Sequence, residues 1–408
     1  MRITDVRTII ADASFRNWVF LRIDTDEGLV GYGECTLEGR ETAVVGAVAD
    51  LSRQLLGQDP TRIRGLVRSM LHDGYWDTGP VIRSAVGGIE IALWDIAGKQ
   101  ACMPVHRLLG GAVRDRVPVY SNAWYFGAHR PEDFAAAASR TVELGYRALK
   151  FDPFGTAGFT IRQPDIAAAI ERVAAVRDAV GPNVELMIEG HGRFSVHSAI
   201  RLGLALERFD IAFFEEPVAP GSFAALRQVA EAIRVPIAAG ERCYDLRECI
   251  RAIQSGGVHV LQPDVIHVGG ISELLAIAAM AEAAMIPVAP HNASGPIATA
   301  ATLQLAAVVP NLFIQEMFHP HDAPWRDEIA TPPFQIEAGE VAVPTGPGLG
   351  ITLDEAACAA HPFVARDLDF YRETSIINQS VGGGGAVRGG SVTPAKRSPQ
   401  PPVGAGGE

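Results

Sequence analysis

Three segments decide the fold: ELMIEG (185–190), IAFFEEP (211–217) and VPIAAGE (235–241). Each is a short apolar run that ends in, or is followed at once by, a glutamate. Amphipathic, alanine-rich stretches such as Phe223–Ile233 lie between such runs. Strands that alternate with helices at this spacing predict βαβ units and a parallel sheet.

The same rhythm extends on both sides of these segments. Eight apolar runs follow one another, at VPVYSN (117–122), RALKFD (147–152), ELMIE (185–189), IAFFEE (211–216), VPIAAG (235–240), VHVLQPD (258–264), MIPVAP (285–290) and LFIQE (312–316). Eight strands favour a closed barrel over an open, doubly wound sheet. An open sheet is the alternative, but it would carry a glycine-rich phosphate loop after its first strand, and YSNAWYFG (120–127) does not match one.

The two ends of the chain lack this rhythm. Residues 1–117 predict an α+β domain, with a three-stranded meander followed by helices. Residues 118–330 are the predicted barrel. Residues 331–375 contain the turn PTGPGLG and are expected to return to the first domain, and the Gly/Pro-rich residues 381–408 are expected to form a disordered tail.

Composition excludes several classes of protein. The 408 residues are 48% hydrophobic and 20% charged, with a formal net charge of −12. This balance is typical of a soluble globular protein and argues against a nucleic-acid or anionic-membrane partner. Five cysteines without a CxxC pair argue against a disulfide framework or a zinc site. No signal peptide or apolar membrane span is recognisable, so we expect a cytoplasmic protein with a small-molecule partner.

Ionisable residues stand at the predicted strand ends, where barrel enzymes keep their working groups. In chain order they are Lys150, Glu189, Glu215, Glu241, Asp264, His291 and Glu316. Three glutamates on consecutive strands would repel one another and raise each other's pKa values unless a cation neutralised them. Oxygen ligands suit a hard divalent ion, and Mg²⁺ is the expected cofactor. Ion pairs at helix starts are the structural alternative.

His291 and Asp264 predict a catalytic dyad. They follow neighbouring strands and would meet at the same mouth of the barrel. An aspartate that accepts a hydrogen bond from one imidazole nitrogen fixes the tautomer, so that the other nitrogen can take a proton.

The ordered set K-x-D, E-x-H, FEEP, GER, QPD and APHN resembles the mandelate racemase-like branch of the enolase superfamily. WDIAGK (94–99) and LLGG (108–111) are also similar, and the resemblance covers about residues 1–370. It implies a (β/α)₇β barrel with an α+β capping domain built from both chain ends, and a homo-oligomer. It also implies that Glu189, Glu215 and Glu241 bind the metal, although Asp is commoner in the family at the first position.

The same resemblance implies roles for the remaining strand-end residues. His291 would abstract the proton beside the substrate carboxylate, to which Lys150 would donate a hydrogen bond. Glu316 resembles a carboxylic acid that donates to the same carboxylate, which requires a raised pKa. Racemases of the family carry K-x-K where this chain has Lys150-Phe151-Asp152, so abstraction by one base is favoured.

His191 favours dehydration within the family. It lies two residues after Glu189, where several acid-sugar dehydratases have a similar histidine that protonates the departing hydroxyl. The sequence therefore predicts β-elimination of water from a sugar acid, such as an aldonate, to a 2-keto-3-deoxy acid. A cycloisomerase, epimerase or racemase of a related hydroxy acid, and a non-catalytic ligand-binding barrel, are the alternatives.

Substrate contacts are predicted at residues of the loop ADASFRNW (11–18) and at three positions of the barrel. They are Arg16, Asn17, Trp18, Trp124, Asp152 and Arg193. Arg193 would pair with a distal carboxylate if the substrate were a diacid. Packing or surface positions are the alternative for each.

Overall fold

The computed structural model describes residues 1–72, 75–76 and 78–366. The predicted tail at 381–408 and the end of the predicted returning segment, 367–375, lie outside the described residues. None of the described helices is both long and apolar enough to cross a membrane.

The first domain is an antiparallel meander covered by helices. Its strands are β1 (Ile3–Asp12), β2 (Asn17–Thr25) and β3 (Val30–Glu34), and its helices are α1 (Glu41–Leu55), α2 (Ile63–His72), α3 (Pro80–Gln100) and α4 (Val105–Leu108). Helix α3 lies so close to β3 that a Cβ atom on Gly33 would stand 1.9 Å from the carbonyl oxygen of Gly88. Gly33, the second glycine of the VGYGE strand, is therefore required by helix packing.

The middle of the chain alternates strands and helices as predicted. Its elements are β4 (Arg116–Ser121), α5 (Pro131–Glu143), β5 (Ala148–Phe151), α6 (Gln163–Val180), β6 (Glu185–Glu189), α7 (Val196–Leu206), β7 (Ile211–Glu215), α8 (Phe223–Ala232), β8 (Ile237–Ala239), α9 (Leu246–Gln254), β9 (Val260–Leu261), α10 (Ile271–Ala283), α11 (Pro296–Ala306) and β10 (Gln315–Met317). Strands β4 to β9 are parallel neighbours in chain order, and β10 returns to pair with β4. The predicted barrel with an α+β cap is confirmed.

The seventh predicted strand, at 285–290, is irregular. Val288 bridges Leu261 on one side and Leu312 on the other, but no regular strand is formed there. The barrel interior is filled by one apolar side chain from each of the eight positions around the ring, namely Tyr120, Ala148, Met187, Phe213, Ala238, Val260, Ala289 and Ile314. The interior is thus a packed core, and the polar strand ends lie directly above it.

The C-terminal segment contacts both domains. It contains α12 (Arg326–Ile329), β11 (Ala330–Thr331), β12 (Ile336–Glu337), β13 (Glu340–Ala342), β14 (Thr352–Leu353) and α13 (Glu355–Ala360). Strand β13 pairs antiparallel with β4 of the barrel. Further along, Glu355 accepts hydrogen bonds from Arg22 and Tyr32 of the first domain.

Two buried glutamates of the first domain contact the barrel, each at the N-terminus of a barrel helix. The Glu34 carboxylate accepts hydrogen bonds from the N–H groups of Gly295 (2.6 Å) and Ala298 (2.9 Å) at the start of α11. Glu90 accepts from Ile271 (2.7 Å) and Ser272 (2.9 Å) at the start of α10. N–H groups in a first helical turn lack intrahelical partners and favour negative charge, so both contacts stabilise the domain interface.

Candidate active site

A cavity of about 250 Å³ lies between the first domain and the C-terminal ends of the barrel strands. Of the residues predicted for the site, those that line it are Arg16, Lys150, Glu189, His191, Glu241 and His291. Glu215, Asp264 and Glu316 are buried directly around it. The loop that carries Arg16 is held over the cavity by Phe15, whose ring packs on Phe126 and Phe318.

The three predicted metal ligands come together. One carboxylate oxygen from each of Glu189, Glu215 and Glu241 lies within 4.8 Å of the others. Burial and the neighbouring Glu215 carboxylate raise the pKa of Glu189 well above its usual range. Oε1 of Glu215 is buried without a hydrogen-bond partner among the described residues. A hard divalent cation would satisfy that oxygen and the converging charges, so this donor set fits Mg²⁺.

Lys150 lies at the centre of the buried carboxylates. Its Nζ atom is 2.8 Å from Glu215 Oε2, 2.9 Å from Glu316 Oε1 and 3.3 Å from Glu189 Oε2. Burial opposes protonation of Lys150, but the surrounding carboxylates outweigh it and raise its pKa. The lysine therefore remains a cation at the floor of the site.

His291 and Asp264 form the predicted dyad geometry. Nδ1 of His291 is 2.7 Å from Asp264 Oδ2, and the other Asp264 oxygen accepts the N–H of Ile266 at 2.7 Å. Nε2 of His291 is on the side of the site, 3.5 Å from Glu241 Oε2. Burial opposes the charged imidazolium, but Glu241 and Glu316 outweigh it and raise the pKa of His291 to about 10. A cation held by Glu241 would offset the charge of that carboxylate and lower the pKa of His291 again, so that Nε2 could accept a proton.

Glu316 is surrounded by donors, in contrast to its predicted role as a donor. Its carboxylate accepts hydrogen bonds from Asn122 Nδ2 (2.7 Å), Lys150 Nζ (2.9 Å) and the N–H of Asn292 (3.0 Å). Burial favours the neutral acid, but Lys150 and His291 outweigh it and lower the pKa of Glu316. These neighbours favour the carboxylate form of Glu316, so its role as a donor to the substrate carboxylate stays a prediction.

His191 lies on the opposite side of the cavity from His291, two residues beyond the end of β6. Its ring atom Nδ1 is 2.8 Å from Asp152 Oδ2. Its backbone N–H donates to Glu189 Oε1 at 2.6 Å. The residue has a φ of +50°, in the left-handed region that few non-glycine residues adopt. With this backbone turn His191 lines the same cavity as Glu189 and Glu241.

Asp152 and Arg193 pair with each other rather than lining the cavity. One Arg193 nitrogen, Nη2, donates to both Asp152 oxygens, at 2.5 and 2.7 Å. Burial opposes ionisation of Asp152, but Arg193 and His191 outweigh it and lower the pKa of Asp152. Neither residue lines the cavity, so the substrate contact of Asp152 and the pairing of Arg193 with a distal carboxylate stay predictions.

Three other predicted contact residues also have structural partners. Asn17 exchanges hydrogen bonds with the backbone of Val364 (2.9 and 3.0 Å), and Trp18 is fully buried. Trp124 donates from its indole nitrogen to the carbonyl of Lys150 (2.9 Å) within an aromatic cluster. Among the residues of the loop 11–18, Arg16 is the one that lines the cavity.

Sequence reasoning missed several polar residues at the site. They include Glu38, Asn122, Gln262, His267 and Asn292. Gln262, for example, donates to Glu215 Oε2 at 2.7 Å and so orients a predicted ligand. A signal existed for some of them, since Gln262 and Asn292 belong to the same QPD and PHN motifs as Asp264 and His291, but only ionisable strand ends were considered.

Comparison with known proteins agrees with this geometry. The family model for the mandelate racemase/muconate lactonizing enzyme N-terminal domain matches residues 4–110, and the enolase C-terminal domain-like model matches residues 133–357. A solved structure described as a member of the enolase superfamily from Salmonella Typhimurium has a TM-score of 0.84 and 32% identity, covering 88% of this chain and 98% of its own.

Two curated relatives are enzymes. D-Galactonate dehydratase of Verminephrobacter eiseniae is 41% identical over 83% of this chain and 89% of its own length. D-Gluconate dehydratase of Thermoproteus tenax is 37% identical over 83% of this chain and 68% of its own length. The chain therefore belongs to the enolase superfamily, in its mandelate racemase/muconate lactonizing enzyme-like family.

Proposed function

We propose that this enzyme dehydrates an aldonate to a 2-keto-3-deoxy acid, with Mg²⁺ as its cofactor. The observation that carries the proposal is a pair of histidines on opposite sides of the cavity, each held by its own buried aspartate. His291 follows the seventh position of the eight-membered ring and His191 follows the third, so about half the barrel separates them. Elimination of water needs a base and a separate acid.

Glu189, Glu215 and Glu241 are the residues that would hold the metal. When bound, it would supply positive charge beside the substrate carboxylate, where negative charge develops after proton removal. The buried, unpartnered oxygen of Glu215 and the crowding of three carboxylates support this assignment.

The side chains divide the remaining steps. Lys150 binds a substrate carboxylate oxygen, and His291 takes the α-proton from C2 at Nε2 while Asp264 holds its other nitrogen. The electron pair first delocalises into the carboxylate as an enolate, and it then forms the C2–C3 double bond as the C3–O bond breaks. His191 gives a proton to the departing hydroxyl, which leaves as water. The resulting enol then takes up a proton at C3, loses the proton of its C2 hydroxyl and becomes the keto acid.

The far end of the cavity favours a neutral substrate tail. The buried Arg16 guanidinium is in contact with the Glu38 carboxylate and with the carbonyl oxygen of Ala293. A second carboxylate, as in an aldarate, would have to displace Glu38 or accept its repulsion. Hydroxyl groups can donate to Glu38 and accept from Arg16, so an aldonate suits this end better.

The names of the relatives support the same reaction class. Both curated relatives described above carry the names of aldonate dehydratases. A cytoplasmic location and a homo-oligomeric assembly complete the proposal. The first is supported by the five unpaired cysteines, which suit a reducing compartment. The second is supported by family resemblance, and analytical ultracentrifugation of the purified protein would test the assembly.

A substrate panel tests the proposal. Aldonates and the matching aldaric acids would be incubated with the Mg²⁺-loaded enzyme in D₂O, with keto-acid formation and deuterium at C2 measured together. We expect keto acid from at least one aldonate and less from its aldarate. Deuterium exchange without keto acid would favour an epimerase or racemase, and a barrel that binds without turnover would give neither.

A further inference from the structure

The two histidines of the site are held by the same local device. Asp264 and Asp152 each offer Oδ2 to the Nδ1 atom of a histidine, at 2.7 and 2.8 Å. Each also accepts, at Oδ1, the N–H of the residue two positions later, Ile266 at 2.7 Å and Phe154 at 2.8 Å. This hydrogen bond from the aspartate's own backbone region closes a turn, which fixes each carboxylate in place for its contact with the histidine.

Beyond these shared contacts, Asp264 Oδ1 also accepts the N–H of His267 at 3.2 Å, whereas Asp152 pairs with an arginine. The guanidinium of Arg193 contacts both oxygens of Asp152 and also donates to the carbonyl of Gly155 at 3.0 Å. Its side chain is 6% exposed and lies near the rings of Phe154 and Phe194. Arg193 is therefore locked in place, and it locks Asp152 in turn.

We propose that Asp152 and Arg193 are positioning residues that aim the His191 ring at the leaving hydroxyl. This inference rests on the proposed function and deepens it. Asp152 engages Nδ1 and fixes the ring, which leaves Nε2 for the cavity side, where His191 forms part of the lining. The proton needed at C3–OH is then delivered from a fixed atom.

Asp152 is placed by the same strand as the substrate-binding Lys150. The residue follows Lys150 by two and projects from the end of β5, beside the β6 strand that precedes His191. The substrate-binding lysine and the carboxylate that orients the acid are thus placed by one strand. A shift of that strand would disturb both groups together, and Arg193 restrains the strand from the neighbouring loop.

Asp152→Asn tests the proposal, because the amide preserves the shape but can present a donor to Nδ1. The Mg²⁺-loaded variant would be assayed in D₂O with the aldonate found in the panel. We expect keto-acid formation to fall about 100-fold or more with little change in KM, since removing a carboxylate that fixes an imidazole costs about 10²–10⁴-fold in related arrangements. Exchange at C2, which depends on His291, should persist.

The ratio of C2 exchange to keto-acid formation is the decisive readout. A role confined to holding the loop would lower both rates together, and an unchanged ratio in Asp152→Asn would overturn the proposal. Asp178→Asn, an exposed site on α6, is the matched control and should leave both rates unchanged. If Asp152→Asn does not fold, Arg193→Lys replaces it; we expect a smaller rise in the ratio, about tenfold, and no rise in folded protein overturns the proposal.

His191→Asn separates this inference from the proposed function. If it retains exchange and loses keto-acid formation, the assignment of His191 as the acid stands, and the Asp152 result judges positioning alone. If it still forms keto acid at the native rate, the acid has been misassigned and the proposed function itself requires revision.

Discussion

His291 is the side chain on which proton abstraction depends in the proposed reaction. Replacement by Asn should lower both keto-acid formation and C2 exchange by about 10²–10⁴-fold, the usual contribution of a general base. Mg²⁺ binding should persist because the three glutamates are unchanged. The measurement is exchange in D₂O alongside a magnesium-induced shift in melting temperature.

His197→Asn is the matched control for that variant. His197 is exposed on α7, so its replacement should change neither rate. Native exchange in His291→Asn would remove His291 as the base.

Adjacent glutamates in FEEP provide a test of the metal site. Glu215 belongs to the carboxylate triad, whereas the buried Glu216 is in contact with Arg242. Mg²⁺ at 100 times its Kd should stabilise the native protein by about 2.7 kcal/mol. Glu215→Gln should abolish the resulting rise in melting temperature, and Glu216→Gln should retain it.

The same experiment covers metal removal. EDTA should reverse the rise in melting temperature and stop keto-acid formation, and added Mg²⁺ should restore both. An equal rise in the two variants would show that the ion binds away from the triad.

At the residue scale, the sequence predicted well which ionisable groups gather at the site. Strand-end position carries that information, because parallel strands of a barrel end at the same mouth. Strand-end position gives less information about the role of each group at the site. Asp152 was expected to touch substrate, but Arg193 and His191 already occupy its oxygens. Such pairings depend on loop geometry, which leaves no periodic pattern in the sequence.

Among the elements, the start of α11 is a junction that a single substitution should weaken. Glu34 accepts two N–H groups of that helix and the Thr36 hydroxyl, and it is fully buried. Glu34→Gln replaces one acceptor oxygen with a donor and should destabilise the fold by about 2 kcal/mol. Thermal unfolding would measure this as a fall of a few degrees.

Glu282→Gln gives the comparison for Glu34, because Glu282 is exposed near the end of α10. It should unfold at the native temperature. A Glu34 variant as stable as the native protein would mean that the helix N-terminus does not hold the cap.

Elements were predicted from the alternation of apolar runs and amphipathic stretches, and the order of strands and helices follows it. The seventh run, MIPVAP, is the exception. Its two prolines, Pro287 and Pro290, cannot donate to a strand ladder, and isolated bridges at Val288 and His291 replace a regular strand. The apolar pattern identifies the position of this segment. The two prolines explain why its backbone does not form a regular strand.

On the scale of the whole molecule, the cysteines report on packing. Cys102 is exposed, whereas Cys35, Cys243, Cys249 and Cys358 are buried. Burial also raises the pKa of the Cys358 thiol to about 12, which suppresses the reactive thiolate. A thiol reagent should therefore modify one cysteine per native chain rapidly and all five after denaturation.

Cys102→Ser should remove the rapid phase and leave four thiols to react in denaturant. Two or more rapid thiols in the native protein would contradict the packing described for the buried four.

The path of the C-terminal segment was the least predictable feature at this scale. Its return to the first domain was expected, and Glu355 and Val364 do contact that domain. The pairing of β13 with β4 of the barrel was not foreseen, because the three residues Glu340–Ala342 are too short to show a strand pattern. Pairing of this kind depends on tertiary contacts more than on local sequence.

The paired glutamates Glu34 and Glu90 also bear on how such proteins could be recombined. Each belongs to the first domain, but the N–H groups it satisfies belong to the barrel. A chimera that joined this barrel to a foreign first domain would expose two helix starts unless that domain carried an acid at both places. Exchanging whole domains is therefore a poor route to new substrates, and replacing Arg16 and Glu38 within an intact chain is a better one.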